Sequence, residues 1–303
     1  MKNKYIYGIF YVAIAAFMWS LVSIALKSIE LRVPMATVNW FRFSSSFVLL
    51  VIWLAITNKN KLKAISKPSL YSIIAALGLA VNYWGYVLGV KYASAGTTQV
   101  IIQIGPLLFA LSGFIMFKEI ISLRHIIGLI ITTLGMSLFF YYNSSENITR
   151  SEEFMKGVGW IIAAAVAWAI YAIFQKKAMI TQSAHEVNLI LYLLPAIAYT
   201  PFVDYSIFHN LTSFEWLILI FLGVNTIIAY GFLAEGLAII EANKASMIIS
   251  FNPVLTFFIM YLIHLYPVKG FQGETLNTFT LIGAIIALSG VILVVGAKRR
   301  FRN

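Results

Sequence analysis

The chain has 303 residues, of which 61% are hydrophobic, 15% aromatic and only 11% charged, and its mean hydropathy is +0.88. Soluble domains carry about 25% charged residues, so this composition excludes a packed water-soluble protein and indicates a single membrane domain. The formal net charge of +11 comes largely from Lys and Arg in short loops between apolar runs, a pattern of membrane topology that argues against a nucleic-acid-binding surface.

Apolar runs long enough to cross a bilayer occur along the whole chain, since a spanning helix needs about 20 predominantly apolar residues. The first run is followed by no A-x-A cleavage site, so it predicts a helix and not a removed signal peptide. The seventh is interrupted by Pro195 and Pro201, which a membrane helix tolerates where its neighbours satisfy the freed backbone. The sequence therefore predicts an all-α membrane protein of ten transmembrane helices, near residues 6–26, 34–57, 70–90, 95–117, 124–142, 157–175, 187–204, 214–235, 245–264 and 277–296.

The loops between these runs differ in their content of Lys and Arg. If the N-terminus lies in the cytoplasm, the basic stretches near 59–67, 118–124 and 176–177 all fall on the cytoplasmic side. Cytoplasmic loops of membrane proteins carry such an excess of positive charge. We therefore expect a multi-pass protein of the plasma (inner) membrane with both termini in the cytoplasm.

An internal duplication divides the chain into two halves of five helices each. Matched residues recur in three stretches in the same order, including Trp19 with Trp168, Tyr83 with Tyr230, and 127–138 with 282–293. Because five is an odd number, the second half enters the membrane from the opposite side. Such inverted-topology repeats are typical of secondary carriers with a site near the midplane and alternating access. The predicted divisions are a first five-helix repeat at 1–142, an external connecting loop at 143–156 and a second five-helix repeat at 157–303.

A set of features in fixed order carries a family resemblance: Ala15-Ala16-Phe17-Met18-Trp19-Ser20, Arg42, the run from Tyr83 through Gly89 to Pro106, Lys118-Glu119, and the pair Gly128 and Gly135. Together they resemble the EamA-type ten-helix members of the drug/metabolite transporter (DMT) superfamily. The second half departs at 264–266, where His-Leu-Tyr replaces the Lys-Glu pair and argues against a symmetric role for Glu119. The resemblance implies inverted repeats around a central cavity and transport of small metabolites, often amino acids or their analogues and commonly outward. It implies no single substrate.

Polar and aromatic side chains at membrane depth are the candidates for binding a solute, because facing lipid would be costly for the polar ones. For the glutamines the alternative is a hydrogen bond between helices. For the tryptophans the alternative is packing bulk. The predicted substrate-binding residues are Trp19, Asn82, Tyr83, Trp84, Tyr86, Gln99, Gln103, Trp168, Tyr171, Tyr230 and Asn252.

Two charged residues within the predicted spans have a possible role in binding or coupling. Arg42 must pair, reach the interface or line water, so a structural role and the binding of a carboxylate are both open. Glu235 is either a hydrated carboxylate at a helix end, a proton-coupling group or a counter-charge for a cationic solute. The histidines all fall at span ends or in loops, which gives little support for a histidine proton relay.

These patterns favour a secondary transporter over the other classes of function. The sequence has no phosphate-binding loop and no H-E-x-x-H or G-x-S-x-G motif, and it has no cysteine. We therefore expect no enzyme activity, no catalytic residue and no metal or other cofactor. The expected partners are a small-molecule substrate and the lipid bilayer, but no nucleic acid, with the protein a monomer or weak homodimer. Amino acids or related metabolites are the favoured substrates, exported across the membrane. Cationic or amphipathic drugs and amines, or a different class such as an intramembrane enzyme or a receptor, are the alternatives.

Overall fold

The structure, a computed structural model, describes residues 2–93, 98, 101–120, 122–143, 152–271, 273 and 277–297. Its long helices are α1 (Lys2–Ile29), α2 (Met35–Thr57), α3 (Leu70–Ala93), α4 (Ile104–Met116), α5 (Leu123–Asn143), α6 (Glu152–Ala178), α7 (Ala184–Tyr199), α8 (Ser213–Ile239), α9 (Ala242–Ser250), α10 (Asn252–Leu265) and α11 (Thr278–Val295). Short helical turns follow α2 at Lys59–Leu62 and Lys63–Ser66, and follow α7 at Thr200–Phe202 and Tyr205–His209.

Much of this helical content is suited to a bilayer. Seven helical segments among the described residues are long and apolar enough to cross a membrane, with α9 and α10 taken together as one of them. Two shorter apolar helices, Ile104–Met116 and Leu123–Phe139, accompany them. The prediction of an all-α, multi-pass membrane protein is therefore confirmed, and the count of ten spans stays a prediction.

Proline explains two of the differences between the predicted spans and the observed helices. The predicted ninth span is interrupted at Phe251, because Pro253 is the second residue of α10 and has no N–H with which to continue the ladder from α9. The predicted seventh span, to residue 204, ends as an α-helix at Tyr199, and Pro201 lies in the tighter turn that follows. Discontinuous helices of this kind frame the midplane sites of carriers.

α5 and α11 pack together along their glycines. A Cβ added at Gly135 would lie 2.3 Å from the backbone nitrogen of Ala287 and 2.8 Å from the carbonyl oxygen of Gly283. A Cβ added at Gly290 would lie 2.6 Å from the carbonyl oxygen of Gly128. The residue numbers rise along one helix as they fall along the other, so the two helices are antiparallel. Because α5 and α11 hold equivalent positions in the two halves, their antiparallel contact is what inverted repeats require.

Two further helix contacts repeat across the halves. α3 packs on α6, where a Cβ at Gly157 would lie 2.6 Å from the Cβ of Ala93. α8 packs on α1 in the same way, where a Cβ at Gly8 would lie 2.7 Å from a side-chain carbon of Ile240. Small residues let helix backbones approach closely, which is how membrane helices associate without a hydrophobic driving force. These paired helices surround the centre of the bundle.

At one end of the bundle the carboxylate of one residue joins the two halves through hydrogen bonds. Lys118 has a left-handed backbone with φ of 54°, and the chain turns there after α4. The carboxylate of Glu119 then accepts hydrogen bonds from the N–H of Ala242 at 2.6 Å, the N–H of Asn243 at 3.2 Å and the Asn243 side-chain amide at 2.6 Å. Those N–H groups begin α9, so Glu119 satisfies donors that a helix start leaves without partners. Burial raises the pKa of Glu119, and the N–H donors oppose that rise.

Two lysines donate hydrogen bonds between elements at the same end of the bundle. The ammonium of Lys176, on α6, donates to the carbonyl oxygens of Leu237 at 2.9 Å and Ile240 at 2.5 Å. These carbonyls belong to the last turn and cap of α8, where a cation is favourable. Lys244 donates to the hydroxyl of Tyr5 at 2.6 Å and so connects α9 with the start of α1. The polar contacts at this end therefore join elements from both halves.

Candidate functional site

Tyr230, on α8, lies at the centre of a cluster of aromatic rings contributed by both halves. Its ring contacts the rings of Trp19, Tyr171 and Tyr192 edge to face, with centroids 5.5, 5.9 and 6.3 Å away. Its hydroxyl lies 3.0 Å from the hydroxyl of Tyr83. Such edge-to-face pairs add about 0.5–1.5 kcal/mol each beyond the area they bury. We call the following residues the central aromatic cluster: Trp19, Tyr83, Trp168, Tyr171, Tyr192 and Tyr230.

The cluster continues through Trp168 towards α4. The ring of Trp168 lies 6.1 Å from that of Tyr171 and 6.1 Å from that of Phe109. Trp168 and its repeat counterpart Trp19 are both half-buried. The indole nitrogen of Trp19 is buried, and in the part of the chain that the structure describes it has no hydrogen-bond partner. Two of the residue pairs that the duplication relates, Trp19 with Trp168 and Tyr83 with Tyr230, thus belong to one cluster.

Arg42 is the charged residue that adjoins the cluster. Its side chain is buried, with a relative exposure of 1%. Its Nε donates to the hydroxyl of Thr226 at 3.2 Å, and its Nη2 donates to the hydroxyl of Tyr83 at 3.3 Å. The guanidinium carbon also lies 5.3 Å from the centre of the Tyr83 ring. The remaining nitrogen, Nη1, is buried and has no hydrogen-bond partner among the described residues.

Two of the predicted asparagines join helices. The side-chain amide of Asn82 donates to the carbonyl oxygen of Ala164 at 2.9 Å, between α3 and α6. The amide of Asn252 donates to the carbonyl oxygen of Ala16 at 2.7 Å, between α10 and α1. Polar side chains often bind helices together in this way within membranes. Each bond lies next to the cluster, because Tyr83 follows Asn82 and Trp19 lies one turn beyond Ala16.

Another predicted residue on α3, Trp84, packs in different surroundings. The ring of Trp84 lies 4.5 Å from Phe202 and 5.9 Å from Tyr199, at the end of α7 and in the turn after it. Tyr199 is seven residues beyond Tyr192, or about 10 Å along the helix at 1.5 Å per residue. Trp84 therefore packs nearer one end of the bundle than the cluster does. Tyr86 is half-buried on the same helix.

The remaining predicted residues lie at the margins of the cluster or beyond it. Gln103 directly precedes α4, and no described residue donates a hydrogen bond to its buried side-chain oxygen. Gly105, two residues later, is adjacent to the ring of Trp168. Gln99 falls outside the described residues. Glu235 is half-buried on α8, and among the described residues it forms no ion pair.

Sequence reasoning missed two contributors to this region and one contact at the end of the bundle. Tyr192 completes the ring contacts of Tyr230, and the available signal was its position one turn after the intramembrane Asn188. Thr226 accepts from Arg42, and its position beside the intramembrane Asn225 was an available signal. The attachment of Glu119 to α9 had no signal in the sequence, because it connects loops far apart in the chain.

The chemistry of the cluster is that of binding. Aromatic faces, hydroxyls, an indole N–H and a guanidinium offer stacking surfaces, hydrogen bonds and one positive charge. Within the described ranges, no group of three or more histidine, aspartate or glutamate side chains is placed to hold a metal ion.

Comparison with known proteins identifies the family. The EamA-like transporter family matches residues 6–141 and again residues 155–296. An uncharacterized transporter of Haemophilus influenzae is 28% identical over 296 residues, which cover 97% of this chain and 96% of the relative. The uncharacterized inner membrane transporter YhbE of Escherichia coli K12 is 27% identical over 295 residues, which cover 96% and 92%.

A solved crystal structure has the same fold. It superposes with a TM-score of 0.78 over 94% of this chain and 95% of the other, at 16% sequence identity. At that identity the likeness concerns the fold alone. The family match, in contrast, extends over most of the sequence in two stretches. The chain is therefore a multi-pass membrane protein that belongs to the EamA-like transporter family.

Proposed function

We propose that this protein is a secondary transporter that moves small metabolites across the plasma membrane by alternating access, with the solute bound at the central aromatic cluster. The observation that carries the proposal is the meeting of both halves at Tyr230, whose ring and hydroxyl contact four helices of the bundle. In carriers built from inverted repeats the site lies at such an interface near the midplane, and rocking of one repeat against the other exposes it to either side.

The finer assignments belong to the same proposal. The predicted excess of basic residues supports cytoplasmic termini, and it supports a cytoplasmic position for the end of the bundle that holds Glu119 and Lys176. Two separate matches to one family support a division into two repeats, near 1–142 and 157–303. Amino acids or related metabolites are the proposed substrates, with export the proposed direction and a monomer or weak dimer the proposed form.

The transport proposal is tested in liposomes that contain the purified protein and no ATP. We expect the protein to exchange at least one amino acid or related metabolite down its gradient, measured as counterflow of the labelled solute. Empty liposomes are the control. If no amino acid, amine or nucleoside in the panel moves, the proposed function is wrong.

The position of the site is tested with two tryptophan variants. Trp19→Ala removes a ring that contacts Tyr230. At solute concentrations far below saturation we expect the rate of counterflow to fall at least about tenfold, as a loss of about 1.4 kcal/mol in the free energy of solute binding would produce. Trp160→Ala is the matched control, because Trp160 lies on the exposed side of α6. Equal rates of counterflow in the two variants would contradict binding of the solute at the central aromatic cluster.

A further inference from the structure

Arg42 has a hydrogen-bonding capacity that the described part of the chain leaves unused. The guanidinium is fully buried, and its Nη1 has no hydrogen-bond partner. Its two bonded partners, Thr226 and Tyr83, are neutral hydroxyls. No carboxylate of the described residues lies within 4 Å of it, although a buried charge within a membrane protein is normally paired or faces water.

Two other polar groups of the central aromatic cluster also have no hydrogen-bond partner among the described residues. The indole nitrogen of Trp19 and the hydroxyl of Tyr192 are both buried and unbonded, and both rings contact Tyr230. An indole N–H and a guanidinium can only donate, so neither can satisfy the other. A negatively charged acceptor supplied from outside the described residues would satisfy Nη1 and would also balance the charge of Arg42.

We propose that this acceptor is the carboxylate of the transported solute, which Arg42 binds through Nη1 while the rings of the cluster enclose the rest of the molecule. A hydrogen bond between two charged groups is about twice as strong as one between neutral groups, and a site that excludes water strengthens it further. The substrate class is then a small carboxylic acid, zwitterionic or anionic, with an apolar or aromatic body. An amine without a carboxylate would place a second cation beside the guanidinium. This inference rests on the proposed function, and it specifies the charge that the site recognises.

The test compares related ligands that carry or lack the carboxylate, using the full chain purified in detergent. The probes are phenylalanine, 3-phenylpropionate, phenylalaninamide and phenethylamine, with leucine and leucinamide as an aliphatic pair. Binding is measured by titration of the intrinsic tryptophan fluorescence. We expect at least one carboxylate to bind tenfold or more tightly than its amide or amine counterpart. Equal or weaker binding of every carboxylate, or no carboxylate binding up to millimolar concentration, would overturn the inference.

Variants then assign the selectivity to Arg42. In Arg42→Gln we expect the preference for the carboxylate over its amide to fall at least tenfold, and in Arg42→Lys we expect part of it to remain. Arg32→Gln is the control, since Arg32 is exposed and pairs with Glu215 at 3.0 Å. Unchanged preference in a folded Arg42→Gln protein would contradict the assignment. If the Arg42 variants do not fold, the comparison of ligands on the unmodified protein still decides the charge class.

The outcome is separable from that of the transport assay. Carboxylate binding without movement of any solute in liposomes would support the inference and contradict the proposed function. Transport restricted to cationic amines would support the proposed function and overturn the inference. Only selective binding together with transport of the same carboxylates agrees with both.

Discussion

Replacement of Gly135 by leucine is expected to abolish folded protein, and replacement by alanine to destabilise it by about 1–3 kcal/mol, the usual cost of overpacking. A side chain at this position would enter the backbone of α11, where the nitrogen of Ala287 lies 2.3 Å from an added Cβ. Backbone atoms cannot rotate away as a flexible side chain can. The two helices would have to move apart, and this would separate the last helix of the first repeat from the last helix of the second.

Gly159 provides the matched control for this prediction. It is also a helical glycine, on the exposed side of α6, and an added Cβ would meet nothing within 4 Å. Gly159→Ala should be neutral or stabilising by up to about 1 kcal/mol, because alanine favours the helix more than glycine does. Size-exclusion profiles and thermal unfolding midpoints in detergent measure both variants. A Gly135→Ala protein as stable as Gly159→Ala would show that α5 and α11 do not pack closely.

Replacement of Glu119 by alanine is the second large effect, with an expected loss of about 2–3 kcal/mol. The variant leaves the N–H groups of Ala242 and Asn243 and the Asn243 amide without their acceptor, and a buried donor left unpaired costs about 1–3 kcal/mol. Glu153→Ala is the control, since Glu153 is exposed in the first turn of α6. The measurement is the thermal unfolding midpoint, and equal midpoints for the two variants would contradict the role of Glu119.

The same carboxyl gives stability a pH dependence. Burial raises the pKa of Glu119 in the folded protein above 4.5, its ordinary value, and Glu241 adds to the rise while Lys176 opposes it. The folded state therefore binds this proton more readily than the unfolded chain, and wild-type stability should fall as the pH rises through the folded-state pKa. In Glu119→Gln that contribution should disappear. Thermal midpoints of both proteins, taken at steps upward from pH 4.5, test this, and parallel curves would contradict it.

Several features of the site could be predicted from residues alone. The tryptophan and tyrosine pairs of the duplication, Trp19 with Trp168 and Tyr83 with Tyr230, meet in the cluster as equivalent positions of two repeats should. Equivalence in a duplication is visible in the chain, because it depends only on the order and spacing of residues. The direction of each side chain around its helix is not visible, because nearly every face of these helices is apolar.

The sequence by itself determined that the protein lies in a bilayer, that its fold is all-α and that its two halves repeat. Length and hydropathy are local properties of the chain, and the thickness of the bilayer fixes how long each spanning helix must be. Only the tertiary structure decided the partners. It assigned the amide of Asn82 to a helix contact, packed Trp84 against Tyr199, added Tyr192 to the cluster and bound Glu119 to the start of α9. Each of these depends on the rotation of one helix against another far away in the chain. Close approach at small residues fixes that rotation, and hydropathy does not encode it.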